Sequence, residues 1–576
     1  LPLIHFIPAE VKANLQVGRR MSTKLSRLLL NLEVFKSLSS ILPDKLQSKK
    51  VHLSRRPAKF IQRQKGLESP QAWAAFYSDQ SQTTLSLSNV GIYGGDAEGL
   101  VELLKINQTL TTLLLDNTHL RNQGIELLAP VLKANQSINT LDLTNTYLAP
   151  DSLEVLAEVL EVNHVISTLT LTDNYINKAA YALFTTLKIS NALTALELAR
   201  CNLSDQELRI LAEALKSNKS LLKLGLVGNR IESEGVTALS DTLKINHTLT
   251  DLDLSNNPFA DEGAQELARA LTVNHGVKIL ILRDAEIRSE GIKWLSQAYK
   301  FNTTVTTMDF SGNDVSFTVE DVADALKTNQ NITTLILKGC WNRPNPKPLV
   351  EALAVNQRLQ ELDLESSGME PQGVSALAEA LMANLNLQSL NLSENNVGTG
   401  AKELSEFLKG SQTLTHLNLR SCRIDPTGIA AISEGLEESK SLTTIDLYGN
   451  TIELEGIRTL SRMLRLTQSL ATLDLSGNQI GCEGSRALSE ALQVNRSLTT
   501  LDISGNKLLC EGAERLSEAL EVNATITRLN ISANKISDRG TEAMSRALRV
   551  NKTLKKFQYA SIQLVSEESK LCQMHQ

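Results

Sequence analysis

The sequence predicts an α/β solenoid, with a parallel sheet along one side and helices along the other. Three observations carry that expectation. A short L-x-L pattern, seen twice in "LATLDLSGNQIGCEGSRALSEALQVNRSLTTLDISGN" around Asp474 and Asp502, recurs along almost the whole chain. Its first leucine-type residue falls at positions 85, 113, 141, 169, 196, 224, 252, 280, 308, 335, 362, 390, 417, 445, 473, 501, 529 and 557, and thirteen of the seventeen intervals are 28 residues while four are 27. Only stacked copies of one structural unit produce such regularity. Aromatic residues make up 4% of the chain while leucine dominates, which suits thin identical layers better than one mixed core.

Each element of the unit follows in order. The strand sends alternate side chains to opposite faces, so Leu473 and Leu475 point inward and Asp474 outward. Five residues after the first leucine stands an asparagine in most units, among them Asn174, Asn229, Asn257, Asn313, Asn395, Asn450, Asn478, Asn506 and Asn534. A side-chain amide there bonds the backbone groups that the turn leaves unpaired, and stacked copies form a ladder. The Glu-Gly pair of "CEG", "SEG" and "DEG" then opens a helix in which Leu488, Leu492 and their equivalents face inward at helical spacing. A second asparagine recurs six residues before the next strand, as at Asn107, Asn135, Asn163, Asn495 and Asn523. That position is expected to be a left-handed helix terminator, a conformation asparagine tolerates. Strands pair at about 4.8 Å and helices pack at about 8–10 Å, so the sheet is expected on the concave side of a horseshoe and the helices on the convex side.

Four regions are expected. Residues 1–66 lack the repeat and form a basic, mainly helical extension, with Ser22 as a cap and Leu25, Leu28, Leu29, Leu32 and Phe35 on one helical face. They hold 14 Lys and Arg against Glu10, Glu33 and Asp44, a charge of +11 in a chain of net −6, which leaves −17 for the remainder. Residues 67–84 read as a capping half-repeat with Trp73, Phe76 and Tyr77 over the first layer. Residues 85–559 make an array of about 17 repeats, and 560–576 a C-terminal cap or tail. The opening "LPLIHFIPA" is short and lacks a positive leader, so it is not read as a secretory signal, and no apolar run is long enough to span a bilayer.

The stretch "LTTLDLSGNQIGCEGSRALSEAL", a composite of the adjacent units, resembles the ribonuclease-inhibitor-like class of leucine-rich repeats, with an L-x-x-L-x-L-x-x-N/C-x-L pattern followed by a full helix. The resemblance covers roughly residues 69–560 and extends to the repeat regions of NOD-like receptors and of leucine-rich-repeat effectors that some bacteria deliver into host cells. It implies a right-handed solenoid that acts as an intracellular binding scaffold. The chain has no phosphate loop of G-x-x-x-x-G-K-[ST] type such as a nucleotide-binding receptor domain requires.

Residue chemistry points away from catalysis. Of six cysteines, Cys201, Cys340 and Cys422 occupy the ladder slot several repeats apart and read as reduced structural thiols, while Cys482 and Cys510 occupy equivalent positions in adjacent units without a Cys-x-x-Cys pair. The N-x-[ST] triplets arise from the repeat itself, and unpaired thiols suit a reducing compartment. His247 and His275 are expected to stack at the rim. No Ser/His/Asp set, paired-carboxylate cleft or phosphate loop rises above the repeat's own Asp, Ser and Gly, so no enzymatic activity, cofactor or metal is expected.

Function is expected where units abandon the template. The outward strand position carries Asp142, Asp253, Asp309, Asp363, Asp446, Asp474 and Asp502, with Glu197 in the same column, which favours a protein partner with a basic surface. Against that acidic background stand Ile279, Ile281, Arg283 and Lys338, then Trp341 and Arg343 in the proline-rich "CWNRPNPKP", then His416, Arg420 and Tyr448. Large aromatic and arginine side chains are the usual anchors of an interface, so Ile281, Arg283, Lys338, Trp341, Arg343, His416, Arg420 and Tyr448 are the expected protein-binding residues, with Arg200 and Val227 as weaker candidates. The leading expectation is a non-enzymatic scaffold in the cytoplasm, or in a host cytoplasm if the chain is a bacterial effector. One alternative is a regulator resembling the GTPase-activating leucine-rich-repeat proteins. Another is attachment to an anionic membrane or nucleic acid, confined to residues 1–66.

Overall fold

The computed structural model describes residues 82–93, 97–176, 180–340 and 345–559. The basic extension 1–66, nearly all of the capping segment 67–84, Trp341, Arg343 and the tail 560–576 lie outside the described residues. The described chain falls into two compact units: one runs to Asn202 and takes in Asn218–Leu221, and the other comprises Leu203–Ser217 and the chain from Leu222 onward.

Both units are α/β solenoids built from a three-residue strand, a turn and a helix. The first contains strands Thr84–Ser86, Thr112–Leu114, Thr140–Asp142, Thr168–Thr170 and Ala195–Glu197, paired in parallel and in sequence order. Described strands of the second run from Lys223–Gly225 to Lys556–Gln558, again parallel and in order; Thr472–Asp474, for example, aligns Leu473 with Leu501 of Thr500–Asp502. Every expected leucine-type position is the central residue of a strand. Leu473, Leu475, Leu488 and Leu492 are fully buried, so strand and helix close one thin apolar layer per repeat. Within each unit the strand spacing is about half the helix spacing, which makes the strand side the shorter one.

The ladder asparagines act as the turn requires. Asn506 Nδ2 donates to Leu475 O of the preceding repeat (2.8 Å) and to Ile503 O of its own (3.0 Å), while its Oδ1 accepts from the backbone N–H of Asn478 (2.8 Å) and Ile480 (3.3 Å). One buried amide thus satisfies four backbone groups that no strand or helix pairs. Where cysteine takes the slot, the donor bond to the preceding repeat survives, the Sγ of Cys201, Cys340 and Cys422 donating to Leu171 O, Phe310 O and Leu392 O, while the backbone N–H groups of Asn174, Asn313 and Asn395 face the sulfurs in turn. Burial pushes each of these thiols up to about 12, which keeps the S–H in place. Cysteines 201, 340, 422, 482 and 510 are all free thiols.

The second asparagine corrects the expectation of a left-handed terminator. Asn495 is extended, with φ −63° and ψ 136°, and Asn135, Asn163 and Asn523 are extended as well. Its Oδ1 accepts from the N–H groups of Ser497 (3.1 Å) and Leu498 (2.8 Å), and its Nδ2 donates to Leu464 O at the end of the preceding helix (2.7 Å). The asparagine is there to cap two chain ends at once, and an extended backbone aims the amide between them. Left-handed geometry sits instead in the turn, at Gly477 (φ 69°) and at equivalents that include Asn256, Asp284, Arg200 and Glu394.

Candidate functional site

The strand-lined face presents two columns to solvent: the third strand residue, and the residue after the following buried leucine. At the third position, one carboxylate oxygen is generally turned inward by the chain that follows. The Oδ1 of Asp253, Asp474 and Asp502 accepts both the N–H and the hydroxyl of the serine two residues on, with Oγ distances of 2.6, 2.5 and 2.7 Å. Asp363 and Asp446 cap their turns through the N–H alone. The template aspartate therefore fixes the turn first, and the second oxygen of Asp502 also accepts from Asn530 Nδ2 of the next repeat at 2.7 Å.

Between the strands Ile279–Ile281 and Glu361–Asp363, the expected anchors are engaged within the fold. Ile281 lies in register between Asp253 and Asp309. Arg283 reaches across one repeat and donates from Nε to Asp309 Oδ2 at 2.5 Å; the Asp309 side chain is fully buried, and its other oxygen holds the N–H and hydroxyl of Ser311. Lys338 Nζ lies 2.8 Å from Glu365 Oε1, and the other Glu365 oxygen accepts from Asn391 Nδ2 at 3.2 Å. Both of these described cations are matched by a carboxylate one repeat on. In the first unit Arg200 is matched by a carboxylate one repeat earlier, with a two-pronged bond to Asp173 at 2.6 Å on each prong that holds the Asp173 carboxyl below its ordinary range.

Five strands beyond Ile279–Ile281, about 24 Å at the usual strand spacing, the face changes character. The Arg420 guanidinium stacks over the Tyr448 ring at 3.8 Å, a cation–π contact between adjacent repeats. Asp446, Asp474 and Asp502 follow in register on three neighbouring strands and make no salt bridge among the described residues. Burial, only partly offset by the N–H of Tyr448 and by the Arg420 charge, raises the Asp446 carboxyl, with Asp502 adding to the rise. Asp474 is raised by burial as well, and by its two aspartate neighbours. His416 stands apart from this group, at the start of its strand with Nδ1 2.8 Å from Thr415 Oγ1.

Sequence reasoning did not find the carboxylates that engage Arg283 and Lys338, and it missed an aromatic row in the first unit. Tyr93, His119 and Tyr147 have ring centroids 5.3 and 5.0 Å apart in succession. The 28-residue interval between His119 and Tyr147 was the available signal. His247 and His275 stack at 6.4 Å, as their spacing implies. Among the described residues no cluster of three or more His, Cys, Asp or Glu is placed to hold a metal ion, and no helix is long and apolar enough to cross a membrane.

The matches to a repeat family agree with this architecture. Eight segments, residues 217–240, 246–268, 355–378, 383–404, 410–433, 468–489, 494–517 and 522–545, match the family described as Leucine Rich repeat. Over 132 residues the chain is 30% identical to the Homo sapiens NACHT, LRR and PYD domains-containing protein 13, an alignment that covers 22% of this chain and 13% of that protein. The chain thus spans only a small part of that relative's length. Among solved structures, it is similar to leiomodin-1 actin-binding site 2, with 21% identity and a TM-score of 0.22 over 23% of this chain and 78% of that one.

Proposed function

We propose, for a chain that is a leucine-rich-repeat protein with repeats similar to those of a NOD-like receptor, that it binds a basic protein partner on the strand face of its second unit. Leucine-rich repeats are protein-interaction scaffolds, and here the side chains that depart from the template supply the selectivity. The observation that carries the reading is the row Asp446, Asp474 and Asp502, three carboxylates in register that make no salt bridge among the described residues, next to the Arg420–Tyr448 stack. Such a row attracts a cationic surface over a Debye length, and the half-exposed stack supplies flat contact area beside it. Ile281, Arg283, Lys338 and His416 extend the surface toward earlier repeats, and Trp341 and Arg343, outside the described residues, are assigned to it from the sequence. No step of this reading requires catalysis, and the free thiols favour a reducing, cytoplasmic setting.

Pull-down from cell extract tests the reading, with the wild type set against Asp446→Asn/Asp474→Asn/Asp502→Asn and against Arg420→Ala/Tyr448→Ala. Loss of the same basic protein from both variants is the expected result. Unchanged capture by both removes this face from the interaction.

A further inference from the structure

On the helix side of the second unit, one helix reverses the charge of its neighbours. In the slot that Arg462 fills in the helix Glu453–Leu466, the two preceding helices carry Glu406 and Glu434 and the two following ones Glu490 and Glu518. Arg458 and Arg465 stand one turn away on either side, so three guanidiniums share one helical stripe. These arginines line a cavity of about 210 Å³ together with Ser461 and with Ala487 of the next helix, Gly481–Val494, and no carboxylate is among the lining residues.

Ser461 adds a second, uncharged signal. It is 3% exposed, and its buried hydroxyl has no hydrogen-bond partner among the described residues. In the same slot Ser433 donates to Ile429 O at 2.8 Å and Ser517 to Glu514 O at 2.6 Å, each closing on its own helix. Ser405 and Ser489 share the unpaired hydroxyl, but Glu406 and Glu490 follow them, whereas Arg462 follows Ser461. A buried donor without an acceptor costs stability, and an acceptor brought in from outside removes that cost.

The carboxylates that touch these arginines lie outside the cavity. Arg458 Nη1 donates to Glu455 Oε1 of its own helix at 2.8 Å, and Arg465 Nη2 to Glu490 Oε2 of the next helix at 3.0 Å. Glu490 is shared, since Arg486 Nε approaches its other oxygen at 3.6 Å. Arg462 comes only within 3.9 Å of Glu437, beyond hydrogen-bonding distance. Each guanidinium carries five N–H donors, so these single contacts leave most of them open, and solvent-exposed pairs of this kind contribute little.

We infer that the cavity is a binding site for a phosphoryl group, held by Arg458, Arg462 and Arg465 with the Ser461 hydroxyl donating to one of its oxygens. A phosphoryl dianion suits the site because it offers acceptors alone, spreads its charge over three oxygens and matches the planar fork of arginine. The same group occurs on inorganic phosphate and on a phosphorylated serine of a protein partner.

Calorimetric titration of the full chain at physiological ionic strength distinguishes these sources, with inorganic phosphate as one probe and a phosphoserine blocked at both its amino and carboxyl groups as the other. Arg462→Glu restores the residue of the neighbouring helices, and Ser461→Ala the residue found in this slot at Ala212, Ala268 and Ala378, so both variants are expected to fold. Arg462→Glu should lose at least about tenfold in affinity for the probe that binds, and Ser461→Ala several-fold while melting no lower than the wild type. Arg546→Glu makes the same charge change in the helix Asp538–Val550, outside the cavity, and should bind as the wild type does. Tighter binding of inorganic phosphate assigns the site to a small phosphate, and tighter binding of the blocked phosphoserine assigns it to a protein side chain. The inference is overturned if neither probe binds the wild type at millimolar concentration, if Arg462→Glu or Ser461→Ala binds as well as the wild type, or if Arg546→Glu weakens binding as much as Arg462→Glu.

Discussion

Two stretches of the strand face, Ile281 to Glu365 and Arg420 to Asp502, share the same strand, turn and ladder yet handle charge in opposite ways. In the first, the two described inserted cations each meet a carboxylate one repeat away: Arg283 meets the buried Asp309 and Lys338 meets Glu365. In the second, the single inserted cation lies over a tyrosine ring, and three aspartates are left side by side. A charged residue that departs from a repeat template is therefore not by itself an interface residue. What decides is whether the neighbouring repeat supplies its counter-charge, which leaves the first stretch more important for stability and the second for association.

The sharpest way to break the comparison is Arg283→Ala. It strands the Asp309 carboxylate, whose side chain is fully buried while that of Arg283 is 47% exposed. The cost should be about 2–4 kcal/mol, below that of a wholly buried pair because of the arginine's exposure and the Ser311 bonds, and Arg283→Ala/Asp309→Asn should recover most of it. Urea midpoints of the three proteins measure this; equal midpoints would place no weight on the pair.

Next in size is an effect on rate. Neutralising Asp446, Asp474 and Asp502 together should slow association with a basic partner about tenfold at low ionic strength and far less at 1 M salt. Stopped-flow association rates at the two salt concentrations report it. The same change leaves stability nearly intact.

Smaller still is the pH response of the aspartate row. Asp474 is raised above its ordinary 3.8, so between 3.8 and the native value the folded chain holds a proton that the unfolded chain has lost. The resulting stabilisation is fully present below 3.8 and is lost as pH rises through the native value. Asp474→Asn should flatten that slope and shift stability at neutral pH by no more than about 1 kcal/mol. Partner affinity runs the other way, because a cationic surface prefers the ionised row, and it should fall as pH drops through the same window. Unfolding midpoints of wild type and variant across pH 3.5 to pH 7 test the first statement, and titrations with partner test the second.

The least effect is expected from Arg420→Ala on stability, about 0.5 kcal/mol, since an exposed cation–π contact is weak. Its effect on partner affinity should exceed that. A stability loss as large as that of Arg283→Ala would erase the distinction between the two stretches.

The amino-acid sequence alone determined the repeat, the place of every strand and the ladder asparagines, because these depend on periodicity and on the hydrogen-bonding capacity of single residues. It misread the second asparagine, since both a left-handed terminator and an amide that bridges two chain ends ask for the same residue, and the choice rests on where the preceding helix ends. It equally showed Arg283 and Lys338 as departures without showing what they meet. Asp309 and Glu365 lie about one repeat later in the chain, and only stacking brings them within bonding distance. Trp341 and Arg343 are legible as departures too, and they fall outside the described residues. What tertiary structure decided was the partner of each unusual side chain, because in a solenoid the nearest neighbour of a residue is found a whole repeat away, in a layer whose charge its own repeat does not specify.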